Sequence, residues 1–102
     1  MQKSLTAMVV GIGFITLRLR ACRSLKEKRK ALKSVIARVR NNFNASVAEV
    51  GHQDSHKSSI IGFSMVGNDK SLINSKADKV FNMVCELGFP EVVDTELEII
   101  FI

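Results

Sequence analysis

The sequence predicts one α+β domain with the element order strand, helix, strand, strand, helix, strand. Three features carry that expectation. Apolar residues alternate with period two near both ends of the chain, two inner stretches have helical apolar spacing, and polar or Gly-containing runs punctuate the boundaries. At 102 residues the chain is long enough to bury a core without staples. An apolar share of 46% against 25% charged places it with ordered globular chains, not disordered ones.

The first strand falls in residues 8–20, where Ile15, Leu17 and Leu19 take one side and Thr16, Arg18 and Arg20 the other. Ser24 stands three residues before Glu27, a capping box in which each side chain satisfies an orphan backbone donor. Beyond it Leu25, Leu32, Val35, Ile36 and Val39 recur at helical spacing as far as about Asn41. Phe43 to Val50 alternates and reads as a strand, Gly51 to Ser58 as a polar turn, and Ile60 to Val66 as a short buried strand. Gly67-Asn68-Asp69 supplies a turn and a helix cap. Leu72, Ile73, Ala77, Val80, Phe81, Val84 and Leu87 form a second helical apolar face, closed by Gly88 and Pro90. In the last strand Val93, Leu97, Ile99 and Phe101 oppose Asp94, Glu96 and Glu98.

A βαββαβ order with helices of this length is the ferredoxin-like split βαβ plan: a four-stranded antiparallel sheet with two helices on one face. Right-handed crossovers place strands one and three side by side, with strand four antiparallel beside strand one. Arg18 and Arg20 are then expected near the start of strand four, on the uncovered face with Asp94 and Glu96. That face is mixed. Met8, Val10, Ile12 and Phe14 from strand one meet Ile100 and Ile102 from strand four at its apolar end. An apolar patch of that kind is expected to be covered, most simply by a second copy in a homodimer.

The charge is segregated. Residues 1–40 hold eleven Lys and Arg against the single acid Glu27, and residues 41–102 hold four Lys against nine acids. Much of the positive charge sits on the first helix, where Lys26, Lys30, Lys33 and Arg40 share one broad stripe with Arg29 at its edge. Charged helix faces are usually just solvated. A face built only for solubility would interleave Glu with Lys at four-residue spacing and gain from the pairs. Here Lys26/Lys30, Arg29/Lys33 and Lys33/Arg40 are left to repel one another, which points to an anionic partner, above all structured RNA or a ribosomal particle.

Other chemistries are less well supported. Ile61-Gly62-Phe63-Ser64-Met65-Val66 imitates the Gly-Phe core of an RNA-recognition motif, but Ile61 and Met65 stand where a cation and a second stacking aromatic are needed, so Phe63 reads as core. In an extended chain His52, Asp54 and His56 would project to one side and form a weak candidate metal site, against the plainer reading of a polar loop. Cys22 has no Cys-x-x-Cys partner for a soft metal, and Ala21-Cys22-Arg23-Ser24 is not a Gly-rich anion loop. No catalytic constellation stands out and no cofactor is implied, so a non-enzymatic binding protein is expected. Cys22 and Cys85 read as apolar fillers in a reducing cytoplasm. The run from Met8 to Leu17 imitates a secretory signal, but Arg18 and Arg20 fall where such a signal is small and uncharged. It is also too short to span a bilayer. The expected location is therefore cytoplasmic, with no membrane contact.

Met8-Val9-Val10-Gly11, Ser24-Leu25-Lys26-Glu27-Lys28-Arg29, Asn42-Phe43-Asn44-Ala45-Ser46-Val47-Ala48-Glu49-Val50, His52-Gln53-Asp54 and Val66-Gly67-Asn68-Asp69 together resemble the bacterial YlxP-like family. The resemblance covers residues 8–102, and the six-residue basic block is its most specific part. It implies a ferredoxin-like fold, a function not yet assigned, and genes that often lie near those of translation and ribosome-maturation factors. It brings no catalytic residues. The chain departs from the pattern after Asp54, where Ser55-His56-Lys57 replaces apolar and aromatic residues. The family's usual start corresponds to Met8, so Met1 to Ala7 is expected to be an extension to a single domain at 8–102.

Overall fold

A computed structural model describes residues 7–102; the expected N-terminal extension, at residues 1–7, falls almost wholly outside them. The elements are β1 (Val9–Arg18), α1 (Leu25–Asn42), β2 (Ser46–Gly51), β3 (Ser58–Gly67), α2 (Lys70–Glu86) and β4 (Glu91–Phe101). They form the expected fold. One four-stranded sheet has the order β2-β3-β1-β4, and every neighbouring pair is antiparallel.

Along β1 the odd-numbered residues from Val9 to Leu17 are buried, and the even-numbered ones are half-buried or exposed. The buried side faces the helices. Leu32, Val35 and Val39 of α1, with Ile73, Ala77, Val80 and Val84 of α2, close over Ile15, Leu17, Ile61, Phe63 and Met65 in one cluster. Phe63 is core, and its ring meets Phe81 edge-on at a centroid distance of 5.5 Å. Leu72, expected on the same face of α2, is exposed instead, because the buried stripe runs through 73, 77, 80 and 84 and leaves 72 outside it.

Caps set the helix ends. Asp69 accepts from the Leu72 N–H at 3.2 Å to open α2, and Gly88, with φ of 75°, closes it in the left-handed conformation that glycine adopts without a side-chain clash. The second strand is shorter at its start than the sequence suggests. The Phe43 N–H bonds the Val39 carbonyl at 2.9 Å and the Ala45 N–H bonds Phe43, so these residues turn the chain off α1 before pairing begins at Ser46.

A bulge corrects the expected pattern of β4. Thr16 pairs with Asp94 but Leu17 pairs with Val92, leaving Val93 as the extra residue. The slip turns Val92 to the core side and Val93 outward, and Phe101 is exposed as well. Arg18 lies, as expected, beside β4 on the uncovered face with Asp94 and Glu96, but the bulge makes Glu91 its register partner, while Asp94 and Glu96 lie opposite Thr16 and Phe14. Arg18 and Arg20 reach the Glu91 carboxylate at 3.6 and 3.9 Å, exposed contacts that contribute little to stability. Among the described residues no helix is long and apolar enough to cross a membrane.

Among the strand glycines, Gly13 has the least room for a side chain. A Cβ there would lie 2.2 Å from the Phe63 ring, whose own position is fixed by Phe81. Replacing a strand glycine by alanine ordinarily restricts the unfolded chain and helps; here overpacking dominates. Gly13→Ala is expected to lower stability by about 1–3 kcal/mol in urea denaturation, and an unchanged or raised midpoint would contradict this packing.

Candidate nucleic-acid interface

The block Ser24-Leu25-Lys26-Glu27-Lys28-Arg29 divides into three jobs. Ser24 and Glu27 form the cap: the Ser24 hydroxyl accepts from the Glu27 N–H at 3.1 Å. The Glu27 carboxylate reaches back to the Arg23 N–H at 3.2 Å, one residue earlier than in the usual box. Lys26 and Arg29 project into solvent. Lys28 does neither.

Lys28 is only 1% exposed. Its ammonium lies 2.7 Å from a Glu49 carboxylate oxygen and donates to the carbonyls of His52, at 2.7 Å, and Ser55. The same Glu49 oxygen accepts from the Ser59 hydroxyl at 2.7 Å, and Ser59 is itself fully buried. Every donor of the ammonium is therefore used, as burial of a charge requires. Sequence reading left Lys28 out of the candidate residues, although a signal was present. Lys28, Leu32, Val35 and Val39 are spaced as one helix face, so the lysine occupies an apolar-stripe position.

This contact also decides the loop between β2 and β3. His52 has φ of 58°, a left-handed conformation that non-glycine residues rarely hold. It is kept there by Lys28 on its carbonyl and by Ser58, whose hydroxyl lies 2.6 Å from its Nδ1. The loop is curled, not extended, so the alternation that would have aimed His52, Asp54 and His56 to one side is lost. Among the described residues, no three His, Cys, Asp or Glu side chains come together in a way that could hold a metal ion.

Because Lys28 and its apolar neighbours fix the rotation of α1, the opposite face is set too. Lys26, Arg29, Lys30 and Lys33 are all exposed, and among the described residues none of them makes an ion pair. Arg40 is different: its guanidinium donates to the Val47 carbonyl at 2.8 Å, tying the end of α1 to β2. Arg38, not singled out from sequence, flanks the other side of the helix, where it and Lys30 border a groove between α1 and the α2–β4 turn. Cys22 lies at the groove, buried; burial, and then the nearby Glu27 carboxylate, push its thiol pKa up, so it is poorly suited to act as a nucleophile.

Lys28→Met removes the ammonium that satisfies Glu49 and two carbonyls, and is expected to cost about 3–5 kcal/mol. Lys26→Met, on the exposed face, is expected to change stability by less than about 0.5 kcal/mol. Equal urea midpoints for the two variants would contradict the assigned roles.

Comparison with known proteins identifies the family. Residues 10–97 match the family model described as "Protein of unknown function (DUF503)". The chain is 35% identical over 72 residues to the "Uncharacterized protein YlxP" of Bacillus subtilis (strain 168), covering 71% of this chain and 76% of that protein. Among solved structures, the de novo designed protein Foldit4 aligns over 95% of this chain and 97% of its own, with a TM-score of 0.49 and 14% identity. SnoaB, a cofactor-independent oxygenase from Streptomyces nogalater, aligns over 91% and 90% with a TM-score of 0.46 and 10% identity. The chain belongs to the DUF503 family, which includes YlxP and whose function is unknown.

Proposed function

We propose that this protein is a non-enzymatic, cytoplasmic RNA-binding protein that contacts a structured RNA or a ribosomal particle through the exposed face of α1. The observation that carries the reading is the cation stripe Lys26, Arg29, Lys30 and Lys33, without ion pairs among the described residues and held outward by the buried side of the same helix. Mutual repulsion along such a stripe is relieved when phosphates replace small counterions, and the released ions supply the binding free energy. The opposite side of the molecule is unsuited to that role. Asp94, Glu96 and Glu98 lie across from Thr16, Phe14 and Ile12 on the uncovered sheet face, where they would repel a phosphate backbone.

Replacing Lys26, Arg29, Lys30 and Lys33 together by Gln is expected to leave the far-UV circular dichroism and urea midpoint near wild type. RNA or ribosomal-particle affinity should fall, and the slope of log K against log salt should shrink by roughly one unit per cation removed. Unchanged association at moderate salt would remove this face as the contact surface.

A second reading is favoured by the uncovered sheet face. Exposed Val66 and Ile100 flank the half-buried Val10 in register, with Ile12 and Phe14 beside them, so the patch is continuous across three strands. This reading makes the protein an assembly module that pairs with a second copy through an apolar contact insensitive to salt. Light scattering at micromolar concentration, with and without residues 1–7, is expected to give a dimer mass that high salt leaves unchanged; a monomer mass in both forms would exclude it.

A further inference from the structure

We infer that the groove between α1 and the α2–β4 turn takes an unpaired nucleobase of a single-stranded RNA segment whose backbone follows the Lys26, Lys30 and Lys33 stripe, an assignment that rests on the RNA reading above. The groove has a volume of about 530 Å³, within the range of small-molecule sites and large enough for one base and its sugar. Its walls are mainly apolar, with Ala31, Val35, Leu87 and Phe89 among them and Ser34 between the charged residues at its border. Phe89 is 45% exposed although it is aromatic, so one ring is left partly open to solvent at the groove. Lys30 belongs to both the stripe and the groove, and Arg38 borders the groove two turns further along α1, about 12 Å away along the helix axis. That separation lets the two cations reach phosphates on either side of one inserted base. Among the described residues lining the groove Glu27 is the only acid, and its carboxylate is held by the Arg23 N–H.

A row of cations leading into one apolar notch matches a polyanion that carries flat apolar branches. Single-stranded RNA has that chemistry, because its bases are free to leave the stack and rest on an aromatic face. A duplex keeps its bases paired and offers the stripe only phosphates. An acidic peptide would match the cations but has no need of the single aromatic wall.

The test uses fluorescein-labelled single-stranded RNA of mixed sequence and the same sequence annealed to its complement, with affinities measured by anisotropy. Phe89→Ala is expected to weaken the single strand roughly 5- to 150-fold while leaving the duplex within about twofold, since a lost base stack affects only the former. A second variant covers the case in which Phe89→Ala fails to fold. The chain contains no Trp and no Tyr, so Phe89→Trp introduces its only strong fluorophore at the groove. Unlabelled single strand is expected to quench that emission and duplex to leave it unchanged. Wild-type protein that binds single strand and duplex alike, together with no selective quenching of Phe89→Trp, overturns the groove assignment and leaves the stripe reading standing. Wild-type protein that binds neither overturns both. Quenching by a poly-Glu peptide carrying Phe residues, and not by RNA, overturns the assignment in favour of a protein partner.

Discussion

An ammonium group cannot leave water unless its charge is met and its protons are all accepted, and Lys28 satisfies both conditions at one point of the fold. Its partners come from separate parts of the chain: Glu49 from β2, and the carbonyls of His52 and Ser55 from the loop that follows. Ser59, from β3, completes the group through Glu49. The first turn of α1 is thereby fastened to the edge strand β2 and to the polar loop that joins it to β3. The apolar side of the helix supplies the driving force for docking. The lysine supplies direction, because only one rotation of α1 brings its ammonium to those three oxygens.

That fixed rotation has an electrostatic consequence. With Lys28, Leu32, Val35 and Val39 turned inward, Lys26, Lys30 and Lys33 have no choice but solvent. Both helices cover one face of the sheet, so the acids of β4 stand on the other side of the molecule. The sheet lies between the two sets of charges, which at physiological salt are screened beyond about 8 Å. A polarised domain results, cationic on its helical layer and acidic with an apolar end on its bare sheet. Arg18 and Arg20 stand at the other end of that face, beside Glu91 at the start of β4, which offsets one of their two charges.

Much of this was legible in the sequence because the relevant signals are local. The capping pair Ser24 and Glu27, the Asp69 cap and the Gly88 stop depend on residues a few positions apart, and helix ends followed from them. Strand order followed from element order through the handedness of crossovers. What escaped was nonlocal. The bulge at Val93 is a compromise between β1 and β4, and no alternation within β4 alone reveals which valine is turned out. The burial of Lys28 depends on acceptors more than twenty residues away, so nothing local to the basic run assigns it a partner. The same contact curls the loop at His52 and removes the metal geometry that an extended reading allowed. The groove beside Phe89 likewise needs α1 and the α2–β4 turn brought together before it exists.

The surface proposed to meet RNA is the exposed face of α1, not the open sheet. Amide chemical-shift mapping of isotope-labelled protein titrated with RNA tests that most directly. Perturbations concentrated in residues 25–40 and 87–90, fading as salt is raised, are the predicted result. Perturbations concentrated instead on β1 and β3 around Phe14, Ile60 and Ser64, with α1 unmoved, would contradict it.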